Sequence, residues 1–117
     1  LGRDMYDTLA AMCSVWPAGV RDQNMHTPLQ SNIPTLLLSG EFDPITPPAW
    51  AQQAANGLTN AIHIVAPGQG HGVIARGCLP RLIMDFIDTA DPTALDESCT
   101  AHMGPYPFFV DLMGPPP

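Results

Sequence analysis

Residues 36–48 read LLLSGEFDPITPP, an apolar run that passes into a proline-rich turn carrying Asp43. Residues 61–66 form a second apolar segment, AIHIVA, and residues 68–72, GQGHG, then place His71 in a glycine-rich loop. The first run lacks polar–apolar alternation, which is typical of a parallel strand covered on both faces. Because a helical segment follows each run, the pattern predicts an α/β fold built on short parallel strands with flanking helices.

The remaining pattern divides the chain into four parts. Residues 1–17 predict a helix, because apolar side chains recur at helical spacing over residues 2–14 and Pro17 then ends the pattern. Residues 18–34 are polar and turn-rich and predict a linker. Residues 35–103 hold the strands at 35–39 and 61–66, a helix at 49–58 and a helix from about Val73 or Pro80 to Ile87. Residues 104–117 predict a proline-rich tail.

The charge and the apolar content of the chain limit the classes of partner that it is expected to bind. Apolar residues make up 45% of the chain, which indicates a packed core, and the net charge is −7 with four arginines and no lysine. The arginines are scattered, so neither nucleic acid nor an anionic membrane is expected as a partner. No apolar run approaches the ~20 residues of a membrane span.

Asp43 and His71 are the candidate catalytic residues. A carboxylate and an imidazole form the orienting acid and the general base of a Ser-His-Asp triad, and α/β-hydrolases carry them in this order after the nucleophile. None of the four serines lies in a G-x-S-x-G motif. Glu41 is a competing candidate for the acid. Asp43 and His71 each also have a purely structural explanation, as a turn residue whose side chain bonds to nearby backbone.

The other histidines are weaker candidates. His63 lies between two isoleucines of a strand, where a structural role is expected, and His26 and His102 lie in the linker and after Cys99. No spacing of histidines or cysteines is typical of a metal site. We therefore expect neither a metal nor a cofactor.

The two motifs, together with Cys78 and Cys99, resemble the C-terminal domain of tripeptidyl aminopeptidase-like α/β-hydrolases, which are exported bacterial exopeptidases related to prolyl iminopeptidases. The resemblance implies a C-terminal fragment of an α/β-hydrolase fold, with residues 1–17 at the junction of cap and core. It also implies Asp43 as the triad acid and His71 as the base. The chain has 117 residues, begins at Leu1 and carries no nucleophile motif, so we expect the N-terminal portion of a longer hydrolase as its partner.

The three cysteines leave two possibilities. A bridge between Cys78 and Cys99 would close a loop of about 20 residues and stabilise the fold by roughly 3 kcal/mol, whereas buried free thiols are the alternative. The resemblance favours the disulfide. A disulfide implies an oxidising compartment and hence a secreted or periplasmic protein. Cys13 is then left over, free or paired outside the chain.

The expected function is peptide-bond hydrolysis at a peptide N-terminus, with a peptide as substrate. Two alternatives stay open, namely an esterase or amidase of the same fold and a noncatalytic association module. Alone, the chain is expected to be inactive and to form a homo-oligomer, because it would expose an open strand edge.

Overall fold

The computed structural model describes residues 2–109 and 112–114. Three helices, α1 (Asp4–Val15), α2 (Pro48–Ala55) and α3 (Leu79–Thr89), accompany two strands, β1 (Thr35–Gly40) and β2 (Ala61–Ala66). Short 3-10 helices span Val73–Ala75, Pro92–Ala94 and Glu97–His102. The strands pair in parallel, from Thr35 with Ala61 to Gly40 with Ala66. The predicted α/β fold with parallel strands is therefore confirmed.

Helix α2 ends earlier than the predicted residue 58. It begins at Pro48, where a proline costs no helical hydrogen bond. The chain after Ala55 turns away because its backbone pairs with the end of the linker. Ser31 donates its N–H to the carbonyl oxygen of Gly57 at 3.0 Å and accepts the N–H of Thr59 at 3.0 Å. These two bonds join the linker to the segment that enters β2.

The sequence left two possible starts for helix α3, about Val73 or Pro80. Val73–Ala75 forms a separate 3-10 helix, and the α-helix starts only at Leu79. Gly77, which lies between them, has a φ of +48°, a left-handed conformation that ends helical geometry. Helix α3 then continues to Thr89, two residues beyond the predicted end.

The core lies on one face of the sheet. Its fully buried apolar residues come from β2, the Val73–Ala75 turn and α3, and they are Ile64, Ala66, Val73, Leu79 and Leu82. Half-buried residues that pack against them include Leu36 and Leu38 of β1 and Met103. On a strand, alternate residues share a face, so these positions give the sheet one covered side.

A disulfide between Cys78 and Cys99 joins the start of α3 to the 3-10 helix Glu97–His102, as the sequence predicted. Both cysteines pack against the core. Cys13 is a free, exposed thiol on α1.

Helix α1 has the predicted apolar stripe, yet none of its residues is buried. Met5, Leu9 and Met12 are 76%, 52% and 57% exposed. Among the residues that the structure describes, no helix is long and apolar enough to cross a membrane. The predicted proline-rich tail is described only in part, and its last three prolines lie outside the described residues.

Candidate functional site

Asp43 lies in the turn that follows β1, and its carboxylate is held by that turn. Its Oδ1 accepts the backbone N–H groups of Ile45 and Thr46, both at 2.9 Å. Its Oδ2 accepts the hydroxyl of Thr46 at 2.8 Å. This local bonding pattern is typical of an aspartate that precedes a proline in a turn. The turn therefore fixes the direction of the carboxylate through bonds that do not involve the histidine.

The electrostatic environment keeps this carboxylate ionised. Burial by itself would raise the pKa of Asp43, whose side chain is only 4% exposed. Hydrogen bonds from Thr46, His71 and Ile45 outweigh that effect and hold the pKa of Asp43 well below its usual range. Asp43 is consequently an anion throughout the physiological pH range.

His71 faces this anion. Its Nδ1 lies 2.9 Å from Oδ2 and 3.1 Å from Oδ1 of Asp43. An ionised carboxylate has only acceptors, so Nδ1 must carry a proton and donate it, and in the neutral imidazole this leaves the lone pair on Nε2. The side chain of His71 is 50% exposed. The imidazole is thus oriented on one side and accessible from the other.

Backbone contacts bring the two loops together at the carboxyl ends of the parallel strands. The N–H of Phe42 donates to the carbonyl oxygen of Gln69 at 2.9 Å. A Cβ on Gly40 would collide with the carbonyl oxygens of Gln69 and Gly70, so β1 must end in a residue without a side chain. Sites of open α/β sheets lie at this edge.

Glu41, the competing acid, has a different partner. Its Oε2 accepts the backbone N–H of Gly68 at 2.7 Å. Glu41 therefore supports the backbone of the histidine loop, whereas Asp43 contacts the imidazole.

The remaining histidines lie apart from this pair. His63 shares a hydrogen bond with the hydroxyl of Ser39 at 3.0 Å, and burial lowers the pKa of His63. This contact across the sheet agrees with the structural role expected for His63. His26 lines an apolar groove of about 320 Å³ beside Trp50, and His102 borders a small cavity beside Gln69.

Sequence reasoning missed two residues of the site. Thr46 contacts both members of the pair, since its hydroxyl also lies 3.3 Å from Nδ1 of His71. The sequence did contain a signal for Thr46, because its hydroxyl follows an acceptor side chain, Asp43, by three residues. Gln69 lies within the histidine loop and is only 7% exposed, and no local pattern distinguishes it from an exposed loop residue.

Among the described residues, His71 contacts no serine hydroxyl, and no metal-binding cluster is present. Over residues 2–109 and 112–114, the hydrogen-bond partners found for His71 are Asp43 and Thr46, and no serine hydroxyl is among them. In the same part of the chain, no cluster of three or more histidine, cysteine or acidic side chains could hold a metal ion. The site as described is an oriented acid–base pair.

Comparison with protein families gives one match. The family model described as TAP-like protein matches residues 1–99. Among curated proteins and among solved structures, none matches the chain at a significant level.

Proposed function

This chain belongs to the TAP-like family of α/β-hydrolases, and on that basis we propose that it supplies the acid and the base of a serine hydrolase. Asp43 is the acid and His71 is the base. The nucleophilic serine and the oxyanion hole belong to another part of a longer protein. The observation that carries the proposal is the 2.9 Å contact between Nδ1 of His71 and Oδ2 of Asp43.

The geometry gives each residue a defined task. Nε2 of His71 takes the proton from the serine hydroxyl as the oxygen attacks the substrate carbonyl. The imidazolium that forms is stabilised by the Asp43 carboxylate, which stays ionised because three donors besides His71 bind it. When the tetrahedral intermediate collapses, Nε2 returns the proton to the leaving amine. The acyl-enzyme is then hydrolysed by the same route, with water in place of the serine hydroxyl.

The substrate we propose is a peptide with a free N-terminus. The family relation favours a peptidase. We further propose an oxidising, extracytoplasmic location, which the Cys78–Cys99 disulfide supports.

The N-terminal portion of the longer hydrolase is the partner that we propose for the uncovered surfaces. The described sheet has only two strands, and a sheet of that size is marginal without further packing. The apolar side chains of α1 are exposed as well. Alone, the chain should therefore associate with itself. Light scattering that gives a monomer mass at high protein concentration would contradict this.

Labelling of the longer protein with a serine-directed phosphonate tests the proposed function. We expect one labelled serine outside this chain, and cleavage of a peptide amide with a free N-terminus but not of its N-acetylated form. Hydrolysis confined to simple esters would indicate the esterase instead. The absence of any label would favour the noncatalytic module and overturn the proposal.

A further inference from the structure

The C-terminal part of the described chain returns to the histidine loop. We call residues 99–106 the strap. Its first residue, Cys99, is bonded to Cys78 at the start of α3. Met103 packs against the core. The strap then reaches the loop that carries His71, about 30 residues earlier in the chain, where Gly104 accepts a hydrogen bond from that loop. A covalent bond thus anchors a segment that contacts the candidate site.

The contact between strap and loop is made by Gln69. This side chain is 7% exposed, and its amide nitrogen donates to the carbonyl oxygen of Gly104 at 2.6 Å and to that of Pro67 at 3.4 Å. The backbone oxygen of Gln69 accepts the N–H of Phe42, next to Asp43, at 2.9 Å. Gln69 therefore connects the strap, the histidine loop and the turn of the acid.

Two further contacts keep the strap in place. Gly68 has a φ of +68°, and a Cβ there would overlap Pro105, so strap and loop touch backbone to backbone. The guanidinium of Arg76 donates to the hydroxyl of Tyr106 at 3.1 Å and lies 5.4 Å from the centre of its ring. These contacts involve Pro105 and Tyr106, the two residues that follow Gly104, so three consecutive residues of the strap touch the histidine loop or the residues after it.

We propose that Gln69 is a positioning residue for His71 and that the strap, anchored by the Cys78–Cys99 disulfide, holds Gln69 in its place. Gln69 lies two residues before His71, and its main-chain bond to Phe42 sets the spacing of the two loops. Loss of the Gly104 contact leaves the buried amide of Gln69 without its closest acceptor, and the loop must shift to solvate it. The imidazole then loses part of its alignment with Asp43. We call the strap together with Gln69 the brace. Its catalytic meaning rests on the proposed function, although its geometry does not.

The tautomer ratio of His71 tests the brace, because it reports the bond between Nδ1 and Asp43 and requires no nucleophile. The ratio of the Nδ1–H to the Nε2–H form is read from the ring 15N shifts of the labelled chain at about pH 8.5, where imidazoles are neutral. The background carries Cys13→Ser so that thiol exchange does not interfere. We expect Gln69→Met to lower the ratio about tenfold, the effect of losing a buried hydrogen bond. Gln52→Met on the exposed face of α2 is the matched control and should leave the ratio unchanged.

A second variant separates the strap from the glutamine itself. Cys99→Ser, which keeps Gln69, should lower the ratio as well, and the double variant should add little, because both changes act on one connection. An unchanged ratio in a folded Gln69→Met chain, judged by circular dichroism, would overturn the proposal. If that variant does not fold, an unchanged ratio in folded Cys99→Ser would do the same. If the imidazole of His71 in the wild type showed no preference for the Nδ1–H form, the acid–base pair itself would be contradicted, and with it the proposed positioning of His71 by Gln69.

Discussion

Replacement of Asp43 by asparagine tests the proposed role of Asp43 in orienting His71. The single carbonyl oxygen of the asparagine can still accept the N–H groups of Ile45 and Thr46, which bind Oδ1 in the native turn. The amide nitrogen then takes the position of Oδ2, 2.9 Å from Nδ1 of His71. Since an amide nitrogen only donates, this shorter contact requires Nδ1 as the acceptor, and we expect the proton of the neutral ring to move to Nε2.

If His71 is the proposed base, the consequence for catalysis is large because the lone pair leaves Nε2, the atom that is proposed to take the proton of the nucleophile. The same exchange in a Ser-His-Asp protease lowers kcat by about 10⁴ through the wrong tautomer. We expect a loss of this order for Asp43→Asn in the longer protein, with little change in KM. Asp88→Asn, at an exposed position near the end of α3, is the matched control and should leave kcat unchanged.

The same variant changes the acid side of the stability curve. The folded-state pKa of Asp43 lies below its ordinary value, so its stabilising effect is present above the carboxyl pKa of about 3.9 in the unfolded chain and is lost as pH falls toward the folded value. Asp43→Asn lacks this component. Urea unfolding from neutral pH down to about pH 3 should therefore show a weaker acid dependence in the variant.

A native-like tautomer ratio in Asp43→Asn, or a kcat within a few-fold of wild type, would refute the reasoning.

Three further outcomes follow from the fold. Gly40→Ala places a methyl group against the carbonyl oxygen of Gly70. We therefore expect the unfolding free energy to fall by about 1–3 kcal/mol and the tautomer ratio of His71 to change. A variant as stable as the wild type would contradict the close approach of the two backbones. Cys99→Ser opens a loop whose ends are 21 residues apart and should cost about 3 kcal/mol in the chain-entropy model, as measured by urea unfolding; no loss would mean that the bridge does not constrain the unfolded chain. His63 has a folded-state pKa below 6.5 because of burial, so its neutral form stabilises the fold above about pH 6.5 and this contribution is lost as pH falls further. His63→Gln should remove that decline in stability below about pH 6.5, and an unchanged decline would place its origin in another group.

The elements that the sequence predicted well are those set by local chemistry. The two strands follow from apolar runs bounded by prolines, glycines and asparagines, and their parallel order follows from the intervening helix. Asp43 and His71 could be named as a candidate pair because the residues around each, a proline-rich turn and a glycine-rich loop, are chemically distinctive. The structure places the two side chains in contact, and their catalytic roles stay a proposal. The spacing of Cys78 and Cys99 left both a bridge and two free thiols possible, and the family resemblance favoured the bridge that the structure shows.

The parts that escaped prediction depend on contacts between distant segments. Helix α2 ends early because Ser31 pairs with the residues after it. The 3-10 helix Glu97–His102 leaves no periodic apolar signal, and its place is set by the disulfide. Nothing near Gln69 in the sequence shows that its amide reaches Gly104, 35 residues later. The apolar stripe of α1 was recognised, but periodicity does not say which surface, if any, within a chain will cover it.

The measurement that tests the central claim most directly is the turnover of a peptide amide by the longer protein carrying His71→Ala. If His71 is the general base, kcat should fall by several orders of magnitude, because removal of one triad member leaves only the contribution of the oxyanion hole and substrate binding. His26→Ala, which changes a histidine on a separate groove, should keep kcat within about twofold, as expected for a residue that takes no part in the reaction. Turnover by His71→Ala equal to that of His26→Ala would contradict the assignment of Asp43 and His71 as the acid and base of this hydrolase.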